Sequence, residues 1–248
     1  GYNNTSKILL TAGSFSFINL ICSLISLIIL TPSINKLFKY RFDNGAGLEG
    51  HSFGNLFITA LYDITGDMVS AVRASSRVLS IRGRVLPSTL DNMKLAAEYE
   101  DGTIVHGESA IPEEHKKIKR LFTEPEHCKA LEDVIEAIKD ADLIILGPGS
   151  LYTSVIPNLL IKEISEEVIK SNAKKIYVCN IMTQPGETDN YAVSDHINAL
   201  YKHAGSDKLI DAVLVNNVLP KNMADKYEKC GQMPVILDRY NIHVDIVE

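Results

Sequence analysis

The hydrophobic pattern after residue 130 alternates short apolar runs with longer amphipathic segments. Strands are predicted over residues 142–146, 175–179, 212–215, 235–237 and 242–247. Apolar residues three and four positions apart predict helices over residues 131–140, 159–171, 191–204 and 221–230. This alternation is typical of βαβ units, so we predict an α/β fold with a mostly parallel sheet and helices on both of its faces.

The earlier part of the chain has a different pattern. Residues 50–63 read as a loop that enters a helix, and a second amphipathic helix is expected over residues 68–79. Between residues 81 and 122 come short strand-like runs, at 84–86, 95–99, 103–106 and 117–122, with a hairpin turn at Glu100-Asp101-Gly102. We therefore expect one domain over residues 1–248, with a small antiparallel β insertion at residues 81–122.

The beginning of the chain is atypical. Residues 15–30 form a run of 16 uncharged, mostly apolar residues, which is shorter than the roughly 20 residues of a membrane-spanning helix. A buried helix or strand pair is the favoured interpretation. A membrane or signal segment and an altered or truncated N-terminus stay open as alternatives, and we treat residues 1–35 as atypical.

Composition and charge narrow the class of protein. With 46% hydrophobic and 23% charged residues, the chain is typical of a globular protein and unlike a disordered chain or collagen. The net charge is −6 and the basic residues are scattered, which argues against a nucleic-acid partner. The four cysteines are far apart and form no CxxC pair, so we expect free thiols in a reducing cytoplasm.

The first candidate site follows the strand predicted over residues 142–146, where the sequence reads GPGSLYTS. Ligands of open α/β sheets bind at the carboxyl ends of strands, and Gly147 and Gly149 have no side chains to keep a phosphate from the backbone N–H groups around Pro148. Hydroxyl donors follow at Ser150, Tyr152, Thr153 and Ser154. The alternative is a simple tight turn between a strand and a helix.

The second candidate site follows the next strand, in the sequence CNIMTQPGETDNYAVSDH. Asn180, Thr183 and Gln184 suit hydrogen bonding to a ribose, base or sugar, and Glu187 lies in the same polar loop. Thr188 and Asp189 either contact a ligand or cap the next helix. His196 is a candidate base, although a single histidine on a helix is more often structural.

A third, weaker candidate is the segment GHSFGN at the start of the first predicted helix. His51, Ser52, Gly54 and Asn55 have the composition of a loop that holds a phosphate at a helix N-terminus. The segment lacks the Gly-Lys-Ser/Thr sequence of a Walker A loop.

Five segments together resemble one known family, the gluconeogenesis factors of YvcK type, which are a branch of the CofD-like superfamily of 2-phospho-L-lactate transferases. The matching segments are residues 36–55, 78–87, 101–112, 147–160 and 176–196. The motifs GPGSLYTS and CNIMTQPGETD are the most specific, and the resemblance extends over residues 36–248. The start departs from the family pattern: residues 7–13 (KILLTAG) resemble a remnant of the opening strand, but the acidic, glycine-rich loop with paired aspartates is not found.

The resemblance implies a Rossmann-like fold and a cytoplasmic bacterial protein that binds UDP-sugars such as UDP-GlcNAc. It further implies a role in gluconeogenic growth, cell shape and peptidoglycan synthesis. From the charge and the short apolar run, we expect neither nucleic-acid binding nor membrane insertion. Members of this branch are generally treated as binders or regulators. Partners among the cell-wall synthesis proteins and a homo-oligomer stay open.

Two other functions remain as alternatives. In the first, the chain is a transferase that acts on a nucleotide diphosphate donor, with the diphosphate held by Asn55, the Gly149 turn and Asp189, and with Mg²⁺ offsetting the developing charge. In the second, it is an interaction module of the cell-wall machinery with vestigial ligand loops. The residues by themselves assign neither catalytic groups nor metal ligands.

Overall fold

The structure is a computed structural model that describes residues 8–11, 36–38, 40–44, 47–48, 50–78, 84–218, 227 and 229–248. Its strands are β1 (Ile8–Thr11), β2 (Lys94–Tyr99), β3 (Ile104–His106), β4 (Ile118–Glu124), β5 (Leu143–Leu146), β6 (Lys174–Val178), β7 (Ala212–Leu214) and β8 (Asp245–Val247). Its α-helices are α1 (Phe53–Thr65), α2 (Met68–Val78), α3 (Glu132–Lys139), α4 (Ile156–Leu159), α5 (Lys162–Lys170) and α6 (Val193–Ala204). A π-helical turn, Leu151–Val155, leads directly into α4.

Two sheets organise these elements. Five strands form a parallel sheet in the order β1-β5-β6-β7-β8, and three form a smaller antiparallel sheet in the order β3-β2-β4. The predicted α/β fold and the antiparallel insertion are therefore confirmed. The strand expected within residues 7–13 is also present, because β1 pairs with β5 from Ile8 to Thr11.

The parallel sheet is stabilised by burial of its apolar central strands. Ile144 and Leu146 of β5 and Val213 of β7 are fully buried in one hydrophobic cluster with α3, α5 and α6. Leu143 and Ile145, on the other face of β5, are half-buried. A strand that is at least half-buried on both faces needs a nearly continuous apolar run, which explains the DLIIL segment of β5.

Three sequence predictions differ from the structure. The expected strand over residues 235–237 is wrong, because Ile236 makes only an isolated bridge with Ala192 beside the loop after β6. The helix expected over residues 159–171 is divided, since Ile161 is extended and α5 begins at Lys162. Residues 84–86 are irregular and not a strand. The predictions for residues 15–30 and for most of residues 221–230 lie outside the described residues.

The antiparallel sheet is fastened to α6 by a buried histidine. The Nδ1 of His203 contacts the carbonyl of Ala199 at 2.7 Å, while its Nε2 accepts the backbone N–H of Leu121 at 2.9 Å. This pair of contacts requires a neutral ring with its proton on Nδ1. Burial lowers the pKa of His203, and that of His196 on the same helix.

We expect the free energy of unfolding to decrease as the pH falls below about 6.5. The unfolded chain then binds protons at histidines that the folded chain keeps neutral. The stabilisation is complete above the histidine pKa of the unfolded chain, and it is lost as the pH falls towards the lower histidine pKa of the folded chain. Urea denaturation between about pH 7.5 and pH 5 measures this slope. His203→Gln should make the slope shallower, whereas His243→Gln, at an exposed position, should leave it unchanged. Equal slopes in the unaltered chain and both variants would contradict the conclusion that the folded protein keeps His203 neutral.

Candidate functional site

The turn after β5 has a glycine at two positions where a side chain would disturb its packing. Gly147 has φ +85°, and a Cβ built there would lie 3.1 Å from the backbone oxygen of Val178 at the end of β6. At Gly149 a Cβ would lie 3.3 Å from the Cβ of Ser154. Both glycines therefore let the turn pack tightly, Gly147 against the neighbouring strand and Gly149 against the π-helical turn.

This turn presents two adjacent backbone donors. Within the described part of the chain, no acceptor takes the N–H groups of Gly149 and Ser150, which are both partly exposed. The next residue, Leu151, is fully buried, so its N–H is not accessible to a ligand. The Ser154 hydroxyl, 3.9 Å from where a Gly149 Cβ would lie, makes no hydrogen bond with a described residue. Pro148 is exposed beside them. Successive free N–H groups at the carboxyl end of a parallel strand are suited to binding an anion.

The loop after β6 is joined to this turn by side chains. The Gln184 amide donates to the Ser150 hydroxyl at 2.7 Å, and the Asn180 amide approaches the Gln184 carbonyl oxygen at 3.4 Å. All three side chains are only partly buried. The structure thus brings together the polar residues of two motifs that lie about 30 residues apart in sequence.

Glu187 supplies a second connection between the two loops. One carboxylate oxygen accepts the Tyr152 N–H at 3.2 Å, and the other accepts the Thr153 hydroxyl at 3.0 Å. Glu187 is only 6% exposed. Burial raises the pKa of its carboxyl, while the hydrogen bonds from Thr153 and the backbone act in the opposite direction. The carboxylate therefore anchors the π-helical turn that follows the free N–H groups.

The remaining polar residues of this loop hold its own backbone. The Thr183 hydroxyl accepts the N–H of Met233 at 2.9 Å, and the Thr188 hydroxyl accepts the N–H of Gln184 at 2.8 Å. Asp189 accepts the N–H of Gly186 at 2.7 Å. Asp189 is thus a cap within the loop and not the cap of α6; Asp195 provides that cap by accepting the N–H of Ala192.

The aromatic residues near the loops pack in the interior. The Tyr152 and Tyr191 hydroxyls lie 2.7 Å apart, and the Tyr152 ring contacts His203 edge-on. His196 is fully buried, with Nδ1 2.9 Å from the Ala192 carbonyl, so it is a structural histidine. Burial also raises the pKa of the Cys179 thiol to about 12. These groups therefore support the loops from within the protein.

The third candidate segment forms a closed loop at the start of α1. Its hydrogen bonds run between residues 40–42 and 50–53, including a bond from the Arg41 guanidinium to the Gly50 carbonyl at 2.8 Å. His51 is exposed, whereas Ser52 and Gly54 are buried. Asn55 belongs to α1, but its side chain is outside the described part. No described hydrogen bond joins this segment to the loops after β5 and β6.

A polar groove of about 610 Å³ separates α6 from the antiparallel sheet. Tyr152, Glu187 and Asp189 lie in its wall. Its other lining residues are Glu100, His115, Lys116, Lys117, Ile118, Asn190, Tyr191, Asp195, Asn198, Ala199 and Lys202. The predicted site residues therefore divide between this groove and the turn after β5.

Two kinds of feature are absent from the described residues. These residues contain no group of three or more His, Cys, Asp or Glu side chains arranged to hold a metal ion. None of the helices in that part of the chain has both the length and the apolar character to cross a membrane.

Sequence reasoning missed one feature of the site. This feature is the tight packing of Gly186 against Pro112, where a Cβ would lie 1.8 Å from the Pro112 carbonyl oxygen. The Pro-Gly pair at 185–186 marks a turn in the sequence, but it does not show which distant backbone the turn contacts.

Comparison with known proteins identifies the family. The family model described as 2-phospho-L-lactate transferase CofD matches residues 19–248. The chain belongs to the CofD family. Among its CofD-family relatives, the gluconeogenesis factor of Bacillus subtilis is 50% identical over 208 residues, and that of Halalkalibacterium halodurans is 46% identical over 219 residues. The resemblance to gluconeogenesis factors found in the sequence is therefore confirmed.

The alignments cover most of this CofD-family chain but less of its relatives. They include 84% and 88% of the chain, and 65% and 68% of the Bacillus subtilis and Halalkalibacterium halodurans proteins, respectively. A crystal structure of a member of the UPF0052 family from Bacillus halodurans superimposes with a TM-score of 0.84 at 42% identity. That match covers 97% of this chain and 82% of the crystallised one, which confirms the fold.

Proposed function

We propose that the chain binds the diphosphate of a UDP-sugar, such as UDP-GlcNAc, at the turn after β5, and that it acts as a cytoplasmic regulator. The observation that carries this proposal is the pair of N–H groups at Gly149 and Ser150, two partly exposed residues whose N–H groups have no acceptor among the described residues. Phosphate oxygens are strong acceptors, and free backbone donors next to glycine allow them to approach closely.

The neighbouring loop suits the rest of such a ligand. Asn180 and Gln184 are partly exposed amides beside the same turn, and amides can both donate to and accept from a ribose, a uracil or a sugar. The CofD family model is compatible with a ligand that contains a nucleotide diphosphate.

The names of the relatives support the biological role. Relatives called gluconeogenesis factors cover most of the chain, so we propose a part in growth on gluconeogenic carbon sources. A UDP-GlcNAc ligand would link that role to peptidoglycan synthesis and cell shape, since this nucleotide sugar is a cell-wall precursor.

Titration calorimetry with UDP-GlcNAc tests the binding proposal. We expect Asn180→Ala to raise the dissociation constant about fivefold, because one hydrogen bond to the ligand contributes about 1 kcal/mol. The matched control is Asn172→Ala, an exposed residue before the amino end of β6 and thus at the opposite edge of the sheet. Failure of UDP-GlcNAc to bind the unaltered chain would contradict the proposal.

The transferase alternative is favoured by the description of the family model. It predicts turnover when the chain is incubated with a nucleoside-diphosphate donor, an acceptor alcohol and Mg²⁺. Binding of a UDP-sugar without such turnover would support the regulator.

A further inference from the structure

The charge of Glu187 lies near the two free N–H groups. Its carboxylate accepts the N–H of Tyr152, and Ser150, two residues earlier, carries the second of the free donors. Neighbouring residues are about 3.8 Å apart along the chain. A phosphate held by the Ser150 N–H therefore lies no more than about 14 Å from the Glu187 carboxylate.

Among the residues that the structure describes, no cationic side chain forms an ion pair with this carboxylate, although Lys116, Lys117 and Lys202 line the same groove. Its hydrogen-bond donors are a backbone amide and the Thr153 hydroxyl, and it forms no ion pair there. Because Glu187 is almost completely buried, solvent and salt screen its charge only weakly. Each additional negative charge on a nearby ligand is therefore disfavoured.

Diphosphate ligands differ in their charge. A diphosphate that is esterified at both ends, as in a nucleotide sugar, carries roughly two negative charges at neutral pH. A free nucleoside diphosphate has a terminal phosphate whose second proton dissociates near pH 6, so it carries roughly three at pH 8.

We propose that Glu187 is a specificity-determining residue that makes the site prefer a diphosphate diester over a free nucleoside diphosphate. This inference rests on the proposed function. Without Glu187, the backbone N–H donors would favour the more highly charged ligand, because charged acceptors form the stronger hydrogen bonds. The fixed carboxylate reverses that preference, so the chain distinguishes a nucleotide sugar from the nucleotide that remains when the sugar is removed.

The test compares two ligands that differ chiefly in charge: UDP and its β-methyl ester. Titration calorimetry of the full chain at pH 8 should show that the ester binds about tenfold more tightly than UDP, although it adds only a methyl group. Glu187→Gln keeps the size of the side chain and removes its charge. In that variant we expect the ratio of the two dissociation constants to fall to about one to three.

Two control variants separate charge from structure. Thr153→Val removes a neutral donor to Glu187, so it should weaken both ligands by the same factor and leave their ratio unchanged. Glu163→Gln neutralises a carboxylate that also accepts a backbone N–H, that of Ala130, but lies on α5; it should leave both affinities unchanged.

The outcomes distinguish the inference from the function on which it depends. If UDP, its methyl ester and UDP-GlcNAc all fail to bind the unaltered chain, the proposed function is wrong, and this inference fails with it. If they bind but UDP binds as tightly as its ester, only the specificity role of Glu187 is overturned. The same conclusion follows if Glu187→Gln changes both affinities equally. Even if Glu187→Gln does not fold, the unaltered chain tests the inference, because equal affinities for UDP and its methyl ester would overturn it.

Discussion

Gly186→Ala is expected to lower the free energy of unfolding by about 3 to 4 kcal/mol. The new Cβ would lie 1.8 Å from the Pro112 carbonyl oxygen and 2.7 Å from the Pro112 carbonyl carbon. These are backbone atoms, so no side chain can rotate to relieve the overlap. Gly186 also has φ +80°, a conformation that alanine adopts at a cost of about 1 kcal/mol.

Gly205→Ala provides the matched control. Gly205 has φ +71° at the end of α6, but nothing lies within 4 Å of the position of its Cβ. This variant therefore incurs the conformational cost alone, about 1 kcal/mol. Urea denaturation of both variants measures the difference. Equal losses of stability would show that the loop and the Pro112 turn do not pack as the structure has them.

Gly149→Val should weaken binding of UDP-GlcNAc by about a hundredfold. A Cβ at this position points towards the Cβ of Ser154, at 3.3 Å, and the γ-carbons of valine would crowd Val155 as well. The turn must then move away from the π-helical turn, which displaces the free N–H groups. Loss of two hydrogen bonds to a charged ligand costs about 3 kcal/mol, which corresponds to the expected change in affinity.

The physical reason for this effect differs from the one that the sequence suggests. From the GPGS motif alone, a valine would be expected to occupy the space of the phosphate. The structure instead directs the side chain towards Ser154 of the π-helical turn. Gly149→Ala is the control, because its single carbon needs a shift of only a few tenths of an ångström and should change the affinity by less than about threefold. Unchanged binding by Gly149→Val would show that the turn takes no part in the site.

The sequence predicted the parallel sheet well because its central strands are short apolar runs, which are a strong local pattern. The runs that became β5 and β6 were located to within one residue at each end. The bridge at Ile236 could not be predicted in this way, since its partner, Ala192, is distant in sequence and the segment has no alternation of its own. Long-range contacts of single residues leave no periodic signal.

The sequence predicted the location of the candidate site better than it predicted the role of each residue in it. Gly147 and Gly149 lie at the end of a parallel strand, as their spacing indicated. Thr188 and Glu187 were grouped with the ligand-binding residues because polar residues in a loop suggest exposure, but both are buried and hold backbone or hydroxyl groups of the protein. Whether a loop residue faces the ligand or its own backbone depends on tertiary packing, which composition does not encode.

The hydrogen bonds between Thr183 and Met233 also bear on when the site can form during synthesis. The two residues are 50 positions apart, and each donates its backbone N–H to the other: the Thr183 N–H to the Met233 carbonyl, and the Met233 N–H to the Thr183 hydroxyl. Chains emerge from the ribosome in order and fold as they do so. The loop after β6 therefore leaves the ribosome well before the residues that hold it in place, and a nascent chain that ends before Met233 has both motifs but not the completed site.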